Sequence, residues 1–251
     1  MLKPRLRSSG VFLSFFAINA IYQASEGEGV HIGTPQVFVR FQGCAIGCFN
    51  CDSIDTWDFN TGERLSLDQV LAQIIEQGGD RFKRVSITGG DPLHPKLLPQ
   101  VLELTKVLKR KGYWINIEAA GTRVVDELFD AVDYISFDYK TPSTKVRTNP
   151  TLIAKLAVQF SDKFQVKSVI ENRADYDDTV KAFHFVSDVL AKDAPHAKRF
   201  PWVLTPAFNL GESMPFNRVL DVIAWNENDS LGFRVITQQH KILHGSEKKK
   251  V

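Results

Sequence analysis

Short β-rich runs alternate with longer amphipathic stretches along this chain, and that alternation limits its possible folds more than any other feature. The strand-like runs are residues 37–41, 84–88, 114–118, 134–138, 165–170, 202–205 and 233–236, preceded by a first strand that begins after residue 13. The stretches with apolar side chains at a helical period are residues 66–77, 97–110, 126–132, 177–191 and 218–225. Alternation of this kind predicts parallel strands joined by helical crossovers.

About six of these strands alternate with helices as parallel strands do, which predicts an α/β fold of the incomplete (β/α)6-type TIM barrel rather than the eight parallel strands of a full one. A barrel carries its chemistry at the carboxyl ends of its strands. The segments at such ends are the loop after residue 41, residues 88–91, Glu118, residues 138–140 and Thr205. We therefore predict that these segments meet in one site.

Composition narrows the class of protein without identifying it. With 251 residues, 43% hydrophobic and 24% charged, the chain is predicted to form a single domain over residues 14–251, after a flexible extension over residues 1–13. A net charge of +2 gives no electrostatic case for binding nucleic acid or an acidic membrane. The N-terminal residues imitate a secretory signal, but cleavage there would remove motif residues that follow, and no segment of the sequence is long enough to span a bilayer.

All the cysteines of the chain lie on one short loop, at Cys44, Cys48 and Cys51. Clustered free cysteines indicate a reducing, cytoplasmic location. Three thiolates suit a soft metal, but they are one short of the four that close a structural zinc site or fully ligate a four-iron cluster. A cluster held by three cysteines leaves one iron open for chemistry. A zinc site completed by a distant histidine, or three unrelated thiols, remain alternatives on the residues alone.

Three other features each allow a functional and a structural interpretation. Residues 88–92 read Thr-Gly-Gly-Asp-Pro, in which the glycines would let a ligand approach the backbone, although a plain turn has the same composition. Residues 25–29 form a glycine-interrupted acidic pair that is more often a polar turn. Arg40 lies on an apolar strand, where arginine is usually an edge charge, but at a barrel mouth it could bind a carboxylate in bidentate fashion.

The cysteine loop resembles the signature of the radical S-adenosylmethionine (SAM) enzymes. The resemblance implies that Cys44, Cys48 and Cys51 hold a [4Fe-4S] cluster whose open iron binds SAM. The cluster would then supply the electron that cleaves SAM to a 5′-deoxyadenosyl radical. Residues 89–92 are similar to the Gly-Gly-Glu-Pro motif that holds the amino group of SAM, with Asp91 in place of the glutamate.

A more specific resemblance, to the 7-carboxy-7-deazaguanine synthases, runs in order over nearly the whole chain from Ile18. It is carried by residues 18–29, Gly33, Pro35, residues 38–40, 43–44, 51–53, 56–57, 117–118 and 121–122, Lys140, Lys167 and residues 238–241. This family converts 6-carboxy-5,6,7,8-tetrahydropterin to 7-carboxy-7-deazaguanine with loss of ammonia, on the route to queuosine and other deazapurines. The resemblance implies SAM and Mg²⁺ as cofactors beside the cluster.

The same resemblance implies roles for individual residues. The implied cofactor contacts are Asn50, Gly90, Asp91, Glu118, Asp138, Tyr139, Lys140 and Thr205. The implied substrate contacts are Ser25, Glu26, Gly27, Glu28, Arg40, Thr88 and Gln239, with Gln239 and His240 closing the site. Ser53 would meet Mg²⁺. The chain departs from the family pattern where Glu26 replaces a common Gln, where Asp138 and Tyr139 replace Ser-Pro, and at Thr205.

The implied partners are a small-molecule pterin, a reductant such as flavodoxin and a second copy of the chain, with no nucleic acid and no membrane. Two other functions stay open on the sequence. One is a glycyl-radical-enzyme activating enzyme, which would act on a protein, and the other is a non-catalytic metal-binding module. The basic residues Lys248, Lys249 and Lys250 are predicted to be a solvated tail.

Overall fold

The computed structural model describes residues 15–251, so the extension predicted over residues 1–13 lies outside the described residues. The strands of the described part are Phe16–Ser25 (β1), Pro35–Phe41 (β2), Glu63–Leu65 (β3), Arg84–Gly89 (β4), Trp114–Ala119 (β5), Tyr134–Tyr139 (β6), Phe164–Ile170 (β7), Trp202–Pro206 (β8) and Arg234–Val235 (β9). The helices are Leu67–Glu76 (α1), Gly79–Phe82 (α2), Leu98–Arg110 (α3), Asp126–Ala131 (α4), Pro150–Gln159 (α5), Arg173–Asp193 (α6), Phe216–Asp229 (α7) and Gln239–His244 (α8).

Within residues 15–251 these strands form a single sheet in the order β3-β1-β2-β4-β5-β6-β7-β8-β9. The pairs β2-β4, β4-β5, β5-β6, β6-β7, β7-β8 and β8-β9 are parallel. Strand β1 runs antiparallel to both of its neighbours, β2 and β3. The described sheet stays open, with β3 at one edge and β9 at the other. This arrangement confirms the predicted α/β fold with an incomplete barrel. The prediction of a single domain over residues 14–251 stays a prediction.

The inner strands are buried on both faces, as parallel strands covered by helices must be. Six of the seven residues of β7 are buried, and Val37, Val39 and Phe41 of β2 have no exposed surface. Helix α1 begins as predicted, because the Ser66 hydroxyl accepts from the Gln69 amide at 3.3 Å and the Gln69 side chain accepts from the Ser66 amide at 2.8 Å. No helix of the described chain is long and apolar enough to cross a membrane.

The structure differs from the predicted helices in several places, which include the unpredicted α2 and an α7 longer than residues 218–225. Helix α5 was not predicted, because Asn149 and Pro150 resemble a turn, yet Asn149 caps the helix by accepting from the Thr151 amide at 3.0 Å and Pro150 occupies its first turn. Helix α6 begins earlier and ends later than residues 177–191. Helix α8 was not predicted either, because six residues are too short to display a clear period.

Candidate active site

A cavity of about 310 Å³ opens at the carboxyl ends of strands β2, β4, β5 and β6. The predicted site residues that line it are Ser25, Glu26, Gly27, Glu28, Arg40, Cys44, Cys48, Cys51, Ser53, Thr88, Gly90, Glu118, Asp138 and Lys140, together with His240. Residues from distant parts of the sequence therefore face one space. This is the convergence that the barrel topology predicts for the ends of parallel strands.

Five predicted site residues do not line this cavity: Asn50, Asp91, Tyr139, Thr205 and Gln239. The Tyr139 hydroxyl points elsewhere and donates to Asp178 at 2.7 Å. Asp91 is almost fully buried, where it accepts from the Leu93 amide at 3.1 Å. Thr205 is completely buried. The roles of these five residues as ligand contacts stay predictions.

The cysteine loop begins where β2 ends, and backbone hydrogen bonds join its first residues to the turn after β4 and to Trp57, which follows the loop. Asp91 donates its amide to the Gly43 carbonyl at 3.0 Å, and Cys44 donates to the Trp57 carbonyl at 3.2 Å. Gly90 packs so closely that a Cβ there would stand 2.4 Å from the Gly43 carbonyl oxygen and 2.7 Å from the Cys44 Cβ. Only a glycine therefore lets the backbone of the Gly-Gly turn lie flush against the loop.

The three cysteines are free thiols, half-buried on the cavity wall. Burial raises the pKa of Cys44 and Cys48, so both carry protons until a metal displaces them. The amides of Ile46 and Ser53 lie 3.4 Å from the sulfurs of Cys44 and Cys51, as donors to cluster thiolates do. Three free thiols facing a cavity, with amide donors already placed, fit an iron–sulfur cluster. In the described chain, no group of three His, Cys, Asp or Glu side chains is arranged to hold a single metal ion.

Lys167 lies at the centre of a carboxylate network that lines the same cavity. Its Nζ is 2.7 Å from Glu118, 3.3 Å from Glu28 and 3.9 Å from Asp138. Burial alone would lower the pKa of Lys167, but the charges of Glu118 and Glu28 raise it well above its usual value. Burial would likewise raise the pKa of Glu28, but Lys167 and His240 lower it to about 2. Lys167 is therefore cationic and Glu28 anionic at neutral pH.

Lys167 was not assigned to the site from the sequence, although it formed part of the family resemblance. The available signal was its position in the middle of an apolar run that was predicted to be a buried strand, where a lysine needs a paired carboxylate. Tyr22 and Asp52 also line the cavity without having been predicted. Both residues lie in segments that carry the family resemblance, residues 18–29 and 51–53, but neither was assigned a role from it.

Arg40 and Ser53 lie together at the mouth of the cavity. The Arg40 guanidinium donates to the Ser53 hydroxyl and to the Tyr22 hydroxyl, each at 3.2 Å. Ser53 donates to the Asp52 carboxylate at 3.1 Å. A hydroxyl beside a carboxylate is an oxygen donor set of the kind that Mg²⁺ takes, so the residues present fit that ion.

The C-terminal segment returns to the cavity and closes one side of it. The Gln239 amide donates to the Gly27 carbonyl at 2.9 Å, and the Gln238 side chain donates to Glu28 at 2.8 Å. Lys241 is buried and bridges Asp52 at 2.9 Å and the Phe208 carbonyl at 3.0 Å. Lys248, Lys249 and Lys250 are exposed, as predicted, but they also line the cavity, so the description of a merely solvated tail was incomplete.

Comparison with known proteins agrees with this geometry. A family model described as a 4Fe-4S single cluster domain matches residues 25–131, which include the three cysteines. The chain is 32% identical over 128 residues to the 7-carboxy-7-deazaguanine synthase of Buchnera aphidicola subsp. Schizaphis graminum, which covers 44% of this chain and 57% of the relative. It is 35% identical over 127 residues to the enzyme of that name from Bacillus subtilis, which covers 49% of this chain and 51% of the relative.

In sequence this chain is similar to the 7-carboxy-7-deazaguanine synthases. It spans about half the length of the curated relatives that it matches. Among solved structures it is similar to the crystal structure of QueE from Escherichia coli, with a TM-score of 0.62 and 21% identity over 90% of this chain and 95% of that chain. That likeness shows a shared fold, in agreement with the predicted α/β fold of an incomplete barrel. The three cysteines of this chain lie inside the segment that the 4Fe-4S family model matches.

Proposed function

We propose that this protein is a radical SAM lyase that converts 6-carboxy-5,6,7,8-tetrahydropterin to 7-carboxy-7-deazaguanine with loss of ammonia. The observation that carries the proposal is a single cavity lined both by the three cysteines and by Arg40 with the Lys167 network. The cysteines then suit a cofactor, and Arg40 suits the carboxylate of a substrate bound in the same cavity. The names of the relatives supply the reaction.

In this proposal Cys44, Cys48 and Cys51 hold a [4Fe-4S] cluster, and Gly90, Glu118, Asp138 and Lys140 form the nearby wall against SAM. When bound, the cluster and SAM would supply the radical that abstracts a hydrogen atom from the substrate. The protein's own part is to position the substrate and keep water away from it. The close approach of Gly90 to Cys44 favours this placement, because it leaves bare backbone beside the cysteines.

The substrate carboxylate would bind Arg40, whose two terminal nitrogens already point at oxygen atoms in the cavity mouth. Mg²⁺ would take Ser53 as a ligand and the same carboxylate as another. Ser25, Glu26, Gly27, Glu28 and Thr88 would contact the pterin rings. Lys167 would hold Glu28 and Glu118 in fixed positions, because its ammonium lies between their carboxylates.

The electron for the cluster would come from a reductant protein such as flavodoxin. We also propose that the protein acts in the cytoplasm, as a homodimer, in a pathway to queuosine or another deazapurine. Free clustered thiols favour the reducing compartment.

The proposal is tested by an anaerobic assay of the reconstituted protein with SAM, a reductant, Mg²⁺ and 6-carboxytetrahydropterin. Formation of 7-carboxy-7-deazaguanine, identified by its mass, is the expected result. Cleavage of SAM without conversion of the pterin would reject the substrate and leave a glycyl-radical activating enzyme as the next candidate. A protein that binds zinc and cleaves no SAM would reject the enzyme proposal altogether.

A further inference from the structure

Glu26 occupies an unusual position on the wall of the cavity. Only 8% of its surface is exposed, and its carboxyl group faces the cavity from the turn that follows β1. One carboxyl oxygen, Oε2, accepts from the Gln36 side-chain amide at 2.7 Å. The other, Oε1, has a longer contact, 3.3 Å, with the backbone amide of Glu28. Both donors are neutral.

The cations near Glu26 are engaged with other groups. Lys167 lies against Glu118, Glu28 and Asp138. Arg84 donates instead to the Gln36 side-chain oxygen at 3.2 Å, and its guanidinium stacks over Trp114 at 3.4 Å. Within residues 15–251 no salt bridge involves Glu26. Glu26 is therefore the carboxyl group of this network that has no cationic partner of its own.

A buried carboxyl group without a cation is more stable in its neutral form. The groups that face Glu26 are Glu118 from β5, Lys167 from β7, Arg84 from β4 and Glu28 from its own turn. Burial, and next the charge of Glu118, raise the pKa of Glu26 to about 7, although Lys167 and Gln36 act in the opposite direction. The geometry and the electrostatics thus agree on a carboxyl group that keeps its proton near neutral pH.

We propose that Glu26 binds the substrate as a neutral carboxylic acid whose O–H group donates a hydrogen bond to an acceptor atom of the ligand in the cavity. The inference rests on the proposed function for the identity of that ligand, whose pterin ring offers nitrogen and carbonyl oxygen acceptors. The proton lies on Oε1, because Oε2 is already held by the short bond from Gln36. Loss of the proton would turn this donor into a charged acceptor facing another acceptor, so binding should weaken as the pH rises.

The test compares the wild-type protein with Glu26→Gln, whose amide donates at every pH. The Michaelis constant for 6-carboxytetrahydropterin is measured from pH 6 to pH 8.5 at saturating SAM and Mg²⁺. In the wild type it should rise by about tenfold per pH unit above neutrality, and in E26Q it should stay nearly constant, since a tenfold change per unit follows the loss of one proton. Ionisation of the substrate affects both proteins and cancels in the comparison. Equal pH profiles in the two proteins would overturn the inference.

A second measurement needs no activity. The melting temperatures of cluster-free wild type and E26Q are compared at pH 5 and pH 8. The folded wild type holds the Glu26 proton more tightly than the unfolded chain does, so its stability falls, relative to that of E26Q, as the pH rises from 5 to 8. The difference in melting temperature should therefore move in favour of E26Q, and a constant difference would overturn the inference. If the difference moves but neither protein converts the pterin at any pH, the proposed function fails while the neutral state of Glu26 stands.

Discussion

At the scale of single residues, the ion pairs between Lys167 and the carboxylates of the cavity contribute to the stability of the fold. Glu28 is the clearest case, because Lys167 and His240 lower its pKa from 4.5 to about 2 against the opposing effect of burial. A carboxyl group whose pKa is lower in the folded state stabilises the fold above its unfolded pKa. This contribution is lost as the pH falls from 4.5 toward 2.

Glu28→Gln should therefore lower the free energy of unfolding at pH 7 by up to about 3 kcal/mol, since each pKa unit corresponds to about 1.4 kcal/mol. The difference between the variant and the wild type should shrink as the pH is lowered below 4.5. Chemical denaturation at a series of pH values measures the difference in free energy of unfolding at pH 7 and its decrease below pH 4.5. A difference that stays the same down to pH 2.5 would show that Lys167 does not stabilise the Glu28 carboxylate.

Gly90 carries the second residue-scale prediction. Gly90→Ala places a methyl group against the backbone of Gly43, which cannot move aside, and should cost about 1–3 kcal/mol and lower the iron content after reconstitution. Gly27→Ala is the matched control, because the added methyl meets only the His240 side chain, which can rotate. Iron and sulfide analysis of both variants tests the prediction, which is wrong if they retain equal iron.

Some of these residues could be assigned to the site from the sequence, and others could not. The cysteines and Gly90 could be assigned from spacing, because a loop of three thiols and a Gly-Gly turn are local patterns. Lys167 could not be assigned with the same ease, since its partners Glu28 and Glu118 are far away along the chain. Tyr139 shows that a motif does not fix the direction of a side chain, because its hydroxyl donates to Asp178 while its role as a cofactor contact stays a prediction.

At the scale of elements, the C-terminal helix α8 and the tail after it are anchored by two lysines, one buried and one exposed. Lys241 is buried, with 7% of its side chain exposed, and bridges Asp52 and the Phe208 carbonyl. Lys249 pairs with Asp55 on the surface, where both side chains are about half exposed. A buried ammonium with two fixed acceptors should contribute far more to the free energy of unfolding than an exposed ion pair does.

Lys241→Met should lower the free energy of unfolding by about 2 kcal/mol, because it leaves a carboxylate and a carbonyl without their donor. Lys249→Ala is the control and should cost less than about 1 kcal/mol, since exposed pairs contribute little. Urea denaturation of the two variants measures the difference. Equal losses would contradict the role assigned to Lys241 in fixing α8.

Most strands and helices followed from local sequence, because alternation and capping act over a few residues, but β3 was not predicted. Ser66 is an example of such capping, since its capping box with Gln69 could be read from their spacing. Helix α5 was not predicted, although Asn149 and Pro150 suit the cap and the first turn of a helix. The antiparallel pairing of β1 with β2 is a tertiary feature that the strand pattern alone does not fix.

At the scale of the whole molecule, the cavity follows from topology. Parallel strands place their carboxyl ends at one rim, so the cysteine loop, Gly90, Glu118 and Asp138 meet although they are far apart in sequence. The turn after β1 and the C-terminal segment also enter this space, and no local pattern predicts such long-range contacts. We propose that the cluster and the substrate carboxylate share this one cavity.

The most direct test of that claim compares wild type, Cys48→Ala and Arg40→Gln in one anaerobic conversion assay, with iron and sulfide measured in each protein. The account predicts that Cys48→Ala loses both the intact cluster and conversion. Arg40→Gln should keep its iron and sulfide but lose about a hundredfold in kcat/KM for 6-carboxytetrahydropterin, since removing one partner of an ion pair costs a few kcal/mol. Undiminished conversion by Arg40→Gln, or by a wild-type protein without a cluster, would contradict the account.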